Sequence, residues 1–141
     1  TKVRAALPGN VIALQNDAVK TGNLIFCGSR GWAVEGAPDF DEHDRHIYLR
    51  EAERFKLALS EAVKLKREGD VIVAMIHYPP FNVRREPSLF TDIFEKYGVN
   101  KVVYGHLHGK DAKAYPRFFR NGVEYILSSC DMTDNTLVEV L

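Results

Sequence analysis

The sequence predicts an α/β domain in which a βαβ unit is followed by a C-terminal β-hairpin and one more strand. Three observations carry that expectation. Residues 71–76, VIVAMI, form an apolar run without alternation, as expected of a strand covered on both faces by helices. The charged stretch before it carries apolar residues at helical spacing, and Asn121-Gly122 stands between two apolar runs, a strong hairpin signal.

The chain has 141 residues with 45% hydrophobic content, enough for one domain with a real core. Lys plus Arg equals Asp plus Glu at 19 each, so no global field favours nucleic acid or an anionic membrane surface, and neither is expected as a partner. No apolar run reaches the length of a membrane span, and TKVRAALPGN lacks the apolar core of a signal peptide. A cytoplasmic location is expected. Cys27 and Cys130 both fall in apolar, strand-like segments and are expected to be reduced, buried thiols.

In chain order, NVIALQND and NLIFCG read as two strands joined by a turn in AVKTG. SRGWAVEGAPDF is a Gly/Pro loop without a period. From Asp41 to Arg67 a helix is expected. Leu49, Ala52, Phe55, Leu59, Ala62 and Val63 recur on one side, and Asp41, Glu42 and Asp44 favour its first turn. Gly69 marks the stop before strand 71–76. His77 follows directly, then the rigid YPPF. A second helix is expected over SLFTDIFEKYG, capped by Ser88 and ended by Gly98. KVVYG at 101–105 is the next strand, and it runs into His106 and His108. The hairpin RFFRNGVEYILSS follows, and TLVEVL is expected to form the last strand.

A βαβ crossover leaves its two strands parallel, with their carboxyl ends on one edge. His77 and the His106/His108 pair are therefore expected in one crevice, the place where open α/β sheets bind ligands. Residues i and i+2 of an extended chain share a face, so His106 and His108 can hold one ion together or two neighbouring ions. Neutral imidazole is the commonest side-chain metal ligand, and such a set suits manganese, iron or zinc.

With these residues in place, IHYPP and the later YGHLHG resemble the last two motifs of the calcineurin-like metallophosphoesterases. The resemblance implies hydrolysis of a phosphate ester by a metal-bound hydroxide at a dinuclear centre. It implies the C-terminal half of a four-layer α/β/β/α sandwich. Carried over residue by residue, it puts His77 and His106 on one metal and His108 on the other.

The family's three earlier motifs, which supply the bridging carboxylate, other ligands and a histidine that protonates the leaving group, have no counterpart in context. Asp41-Glu42-His43 has the letters of the first motif, but it opens a helix instead of ending a strand. No catalytic side chain beyond the metal ligands is therefore assigned. The chain, which begins with Thr, is expected to be the C-terminal part of a domain whose N-terminal part is absent. Its expected partners are that missing half, or a self-associating copy, and a phosphate-ester substrate. Alone it is expected to bind at most one of the two divalent ions (Mn, Fe or Zn) well, and to be inactive.

Arg30 and Arg84 are candidate substrate-binding residues, since a guanidinium fork matches phosphate, and Arg85 is a further candidate. Trp32, Tyr78, Phe81 and Tyr104 are expected in the core or lining a pocket, and His43 and His46 at the surface. No Asp is expected after a strand in position to supply the carboxylate charge that holds two ions together, with Asp41, His43, Asp111 and Asp131 as fallbacks. The rival class is a non-catalytic metal-binding or interaction module of the same fold. A nucleotide-binding domain is disfavoured, because no Gly-rich loop links a strand to a helix.

Overall fold

The computed structural model describes residues 2–109 and 116–141. After a short helix α1 (Lys2–Ala6), strands β1 (Asp17–Thr21) and β2 (Leu24–Ser29) pair as a hairpin. The turn is Gly22-Asn23, so most of AVKTG, expected as the turn segment, belongs to the strand, and residues 10–14, expected as strand, do not. The reason is register. Gly22 takes a left-handed φ of +58°, and a two-residue loop closing on the Thr21–Leu24 pair forces the residues immediately before Thr21 into the ladder.

Helix α2 (Glu42–Leu65) opens with a reciprocal capping box between Asp41 and Asp44. Its buried stripe is Tyr48, Glu51, Ala52, Phe55, Ala58, Leu59 and Ala62, whereas Leu49 and Val63, expected inward, are each 44% exposed. The i, i+3/i+4 series through Tyr48 and Glu51 is rotated from the one an apolar count selects. It includes a carboxylate whose Oε1 accepts from Arg54 Nη1 at 2.6 Å.

Strand β3 (Val71–Ile76), helix α3 (Leu89–Lys96) and strand β4 (Lys101–Tyr104) form the expected βαβ unit. Ser88 caps α3, its hydroxyl accepting from the Phe90 and Thr91 amides. Gly98, at φ +64°, ends it: the Gly98 amide donates to the Glu95 carbonyl and the Val99 amide to the Phe94 carbonyl. The hairpin of β5 (Arg117–Arg120) and β6 (Val123–Leu127) turns at Asn121-Gly122, both with positive φ.

Among the described residues six strands lie in the order β1-β2-β3-β4-β6-β5, with β2, β3, β4 and β6 parallel and an antiparallel strand at each edge. Both crossovers step in one direction, so α2 and α3 share one face, where Phe55 meets Phe90 and Phe94 over Ile25, Ile72, Ala74 and Val102. The expectation that β3 is covered by helices on both faces therefore fails. On the far side Met75 is 38% exposed, and Phe119 of β5 is 72% exposed. TLVEVL forms no strand, and Leu137 is fully exposed. Alternation alone does not supply a ladder partner; here the tail meets β5 through the Glu139 carbonyl, which accepts from the Arg117 guanidinium. Cys27 is buried in β2, but Cys130 is exposed in a 3₁₀ turn (Cys130–Met132) after β6. No helix among the described residues is long and apolar enough to cross a membrane.

Candidate metal centre

Four parallel strands end on one edge of the sheet, and the residues beyond them carry the chemistry. β2 runs into Arg30, β3 into His77, β4 into Gly105-His106-Leu107-His108, and β6 into Ser128-Ser129-Cys130-Asp131. Backbone bonds continue the ladder past the strand ends. The His77 amide donates to the Arg30 carbonyl at 3.0 Å, Gly105 to His77 at 3.1 Å, and Ser128 to Tyr104 at 2.8 Å. The side chains beyond the edge are thus held by the sheet itself.

His77 and His106 meet. His106 Nδ1 is 3.0 Å from His77 Nε2, with the rings at 76°. His106 takes φ +70°, a conformation L residues other than Asn, Asp and His seldom adopt, and it brings the imidazole back toward β3. Tyr78 lies against its ring at 4.1 Å and 33°, Trp32 stands 5.1 Å from Tyr78, and the Arg30 guanidinium lies 4.5 Å over Trp32. Trp32 is fixed in turn by its indole N–H, which donates to Asp44 Oδ1 at 2.8 Å. Partial burial, and then the neighbouring His77 and His108 rings, hold the His106 imidazole below its ordinary value. That favours the neutral, metal-ligating form.

His108 is set apart. Its ring centroid is 6.5 Å from that of His106, and its Nδ1 faces Asp131 Oδ2 at 3.2 Å. Leu107, between the two histidines in sequence, is partly buried and packs against the core. Asp131 also accepts from the Gly109 amide at 3.3 Å and lies 3.0 Å from Cys130 Sγ. The Cys130 and His108 contacts hold its carboxyl down at about 2, and Asp131 in turn raises the Cys130 thiol. Asp131, one of the fallback residues, therefore stands after a strand at this edge, beside His108 and outside ligand range of the His77–His106 pair. Cys130 and Asp131 were missed as partners of His108 because the hairpin signal pairs β6 with β5 and says nothing of β4; the readable trace was Ser-Ser-Cys-Asp after an apolar strand.

The donors fit divalent metal. Tetrahedral bonds of about 2.05 Å to nitrogen place two ligand nitrogens about 3.3 Å apart, close to the His77–His106 separation. Among the described residues no third His, Cys, Asp or Glu joins that pair within ligand range; the group of three that does form is His108, Cys130 and Asp131.

The remaining candidates fall elsewhere. Arg84 is gripped by Glu86 through both Nε (2.8 Å) and Nη2 (2.9 Å), and Arg85 lies over Phe118. Phe81 and Tyr104 pack on one another at 5.2 Å in the core. Asp41 caps α2, and His43 and His46 are exposed. Asp111 lies outside the described residues.

The imidazoles of this mixed α/β sheet thus gather past its parallel strand ends, at the edge where open α/β sheets bind ligands. A family model described as calcineurin-like phosphoesterase matches residues 7–110, and the chain belongs to that family. Comparison with curated proteins finds no match.

Proposed function

We propose that this chain forms the C-terminal part of a metal-dependent phosphohydrolase domain, in which His77 and His106 hold one divalent ion and His108 helps to hold a second. The observation that carries the reading is the His77–His106 approach of 3.0 Å, made by residues from two adjacent parallel strands in a family that acts on phosphate esters. Two divalent ions, when bound, supply Lewis-acid charge and acidify water for in-line attack on phosphorus.

The chain's own residues orient and neutralise. Tyr78 braces the His106 ring, and the exposed Arg30 guanidinium, steadied over Trp32 and 3.7 Å from Glu51, faces solvent beside the same edge, where a phosphate oxygen can be met. Arg84, already occupied by Glu86, is the weaker phosphate ligand.

The His77–His106 pair has no carboxylate in ligand range among the described residues, so little negative charge offsets two adjacent cations. We propose that residues outside these 141 complete the centre, and that these 141 alone release phosphate no faster than a manganese blank. The test is phosphate release from an aryl phosphate by the 141-residue chain and by a form extended with its natural upstream sequence. The extended form should turn over, and His106→Ala in it should slow turnover about 100-fold or more. Equal rates for His106→Ala and the unmodified extended form would overturn the reading.

A further inference from the structure

The turn after β6 places a thiol and a carboxylate beside His108, and the phosphoesterase reading uses neither. The donor atoms of His108, Cys130 and Asp131 all lie within 4.8 Å of one another. His108 Nδ1 lies 3.2 Å from Asp131 Oδ2 and Cys130 Sγ 3.0 Å from Asp131 Oδ1, so the carboxylate sits between the imidazole and the thiol and faces both.

Two features hold the group in place from opposite sides. On the β4 side, the partly buried Leu107 packs against the core and the Gly109 amide donates to Asp131 Oδ2 at 3.3 Å. On the β6 side, Ser129 is buried, and the Met132, Thr133 and Asn135 amides fold back onto the Ser129 and Cys130 carbonyls at 2.9–3.2 Å. All three donor side chains are exposed, so an ion has an open approach.

We propose that His108, Cys130 and Asp131 form a three-ligand site selective for zinc-like ions. The inference deepens the reading above and rests on its assignment of His108 as a ligand. Its new content is the identity of His108's companions and the metal they select. One imidazole, one thiolate and one carboxylate leave a fourth tetrahedral position open to water or a phosphate oxygen. A thiolate is a soft donor and favours zinc over the harder manganese and magnesium ions. The two ion positions are then unequal: a histidine pair on the β3 side and a thiolate-containing triad on the β6 side. On binding, the Cys130 S–H bond breaks, its proton passes to buffer and the sulfur donates its electron pair to the ion; no redox change occurs.

The test uses the purified 141-residue chain under reducing conditions, titrated with cobalt(II) as the zinc stand-in. Cobalt bound through Cys130 gives a thiolate-to-cobalt charge-transfer band in the near ultraviolet together with intense tetrahedral visible bands, and zinc should displace both while manganese should not. Cys130→Ser should abolish the charge-transfer band and weaken cobalt binding about tenfold or more, and Asp131→Asn should weaken it while keeping the band. His77→Ala should leave the band unchanged. Cobalt binding without the charge-transfer band overturns the Cys130 assignment but leaves histidine ligation standing, whereas no cobalt binding at all overturns both. Persistence of the band in Cys130→Ser, whose folding circular dichroism verifies, also overturns the proposal.

Discussion

His106 Nδ1 lies 3.0 Å from His77 Nε2 although 29 positions separate the two residues in the chain. The approach follows from β3 and β4 being parallel neighbours whose carboxyl ends share an edge, and from the left-handed backbone at His106 that swings its ring toward β3. One proton shared between the rings, or one ion between them, satisfies that geometry, and neutral imidazole suits the ion.

Phe55 is fully buried and meets Phe94 at 5.1 Å and Phe90 at 6.2 Å, edge to face. Phe55→Ala should destabilise the fold by about 3–5 kcal/mol, seen as a lower urea midpoint with unchanged slope. Metal binding by the variant's folded state should be unaltered, because His77, His106, His108, Cys130 and Asp131 all lie outside helix α2. A midpoint within experimental error of the parent would mean that the inward stripe of α2 is misassigned.

Glu124 is 5% exposed and is held below its ordinary value of about 4.5, first by Lys101 and then by Arg117. A carboxylate with a lowered folded-state value adds stability that is fully present above its unfolded value and is lost as pH falls through the folded one. Thermal midpoints followed from about pH 6 to about pH 3 should therefore fall less steeply for Glu124→Gln than for the parent, while the variant starts lower at neutral pH. Parallel curves would remove Glu124 from the acid response.

Gly122, at φ +81° in the β5–β6 turn, has open space where a Cβ would stand, so a substitution there tests backbone strain without a clash. Gly122→Ala should cost about 1–2 kcal/mol by thermal unfolding. Gly9→Ala, also in open space but without a positive φ, should change little.

The βαβ logic was legible because a continuous apolar run, a capped helix and a second apolar run leave one right-handed arrangement, and His77 and His106 fall at its strand ends. What stayed hidden depended on non-local placement. The sequence pairs β6 with β5 through Asn121-Gly122, but only the folded sheet sets β6 beside β4 and so brings Cys130 and Asp131 to His108. Glu51 was invisible as a core position because an apolar count skips charged residues, although Arg30, Arg50 and Arg54 within 3.7 Å compensate it. TLVEVL has the alternation of a strand and lacks a ladder partner among the described residues, which no local pattern reveals.

The most direct measurement is a zinc titration of the ¹⁵N-histidine-labelled chain followed by imidazole NMR, with each ring assigned from a single His→Ala variant. His77 and His106 should shift strongly and settle into fixed tautomers as zinc is added, while the exposed His43 and His46 stay near their starting positions. If His77 and His106 move no more than His43 and His46, the carboxyl edge of this sheet is not a metal centre.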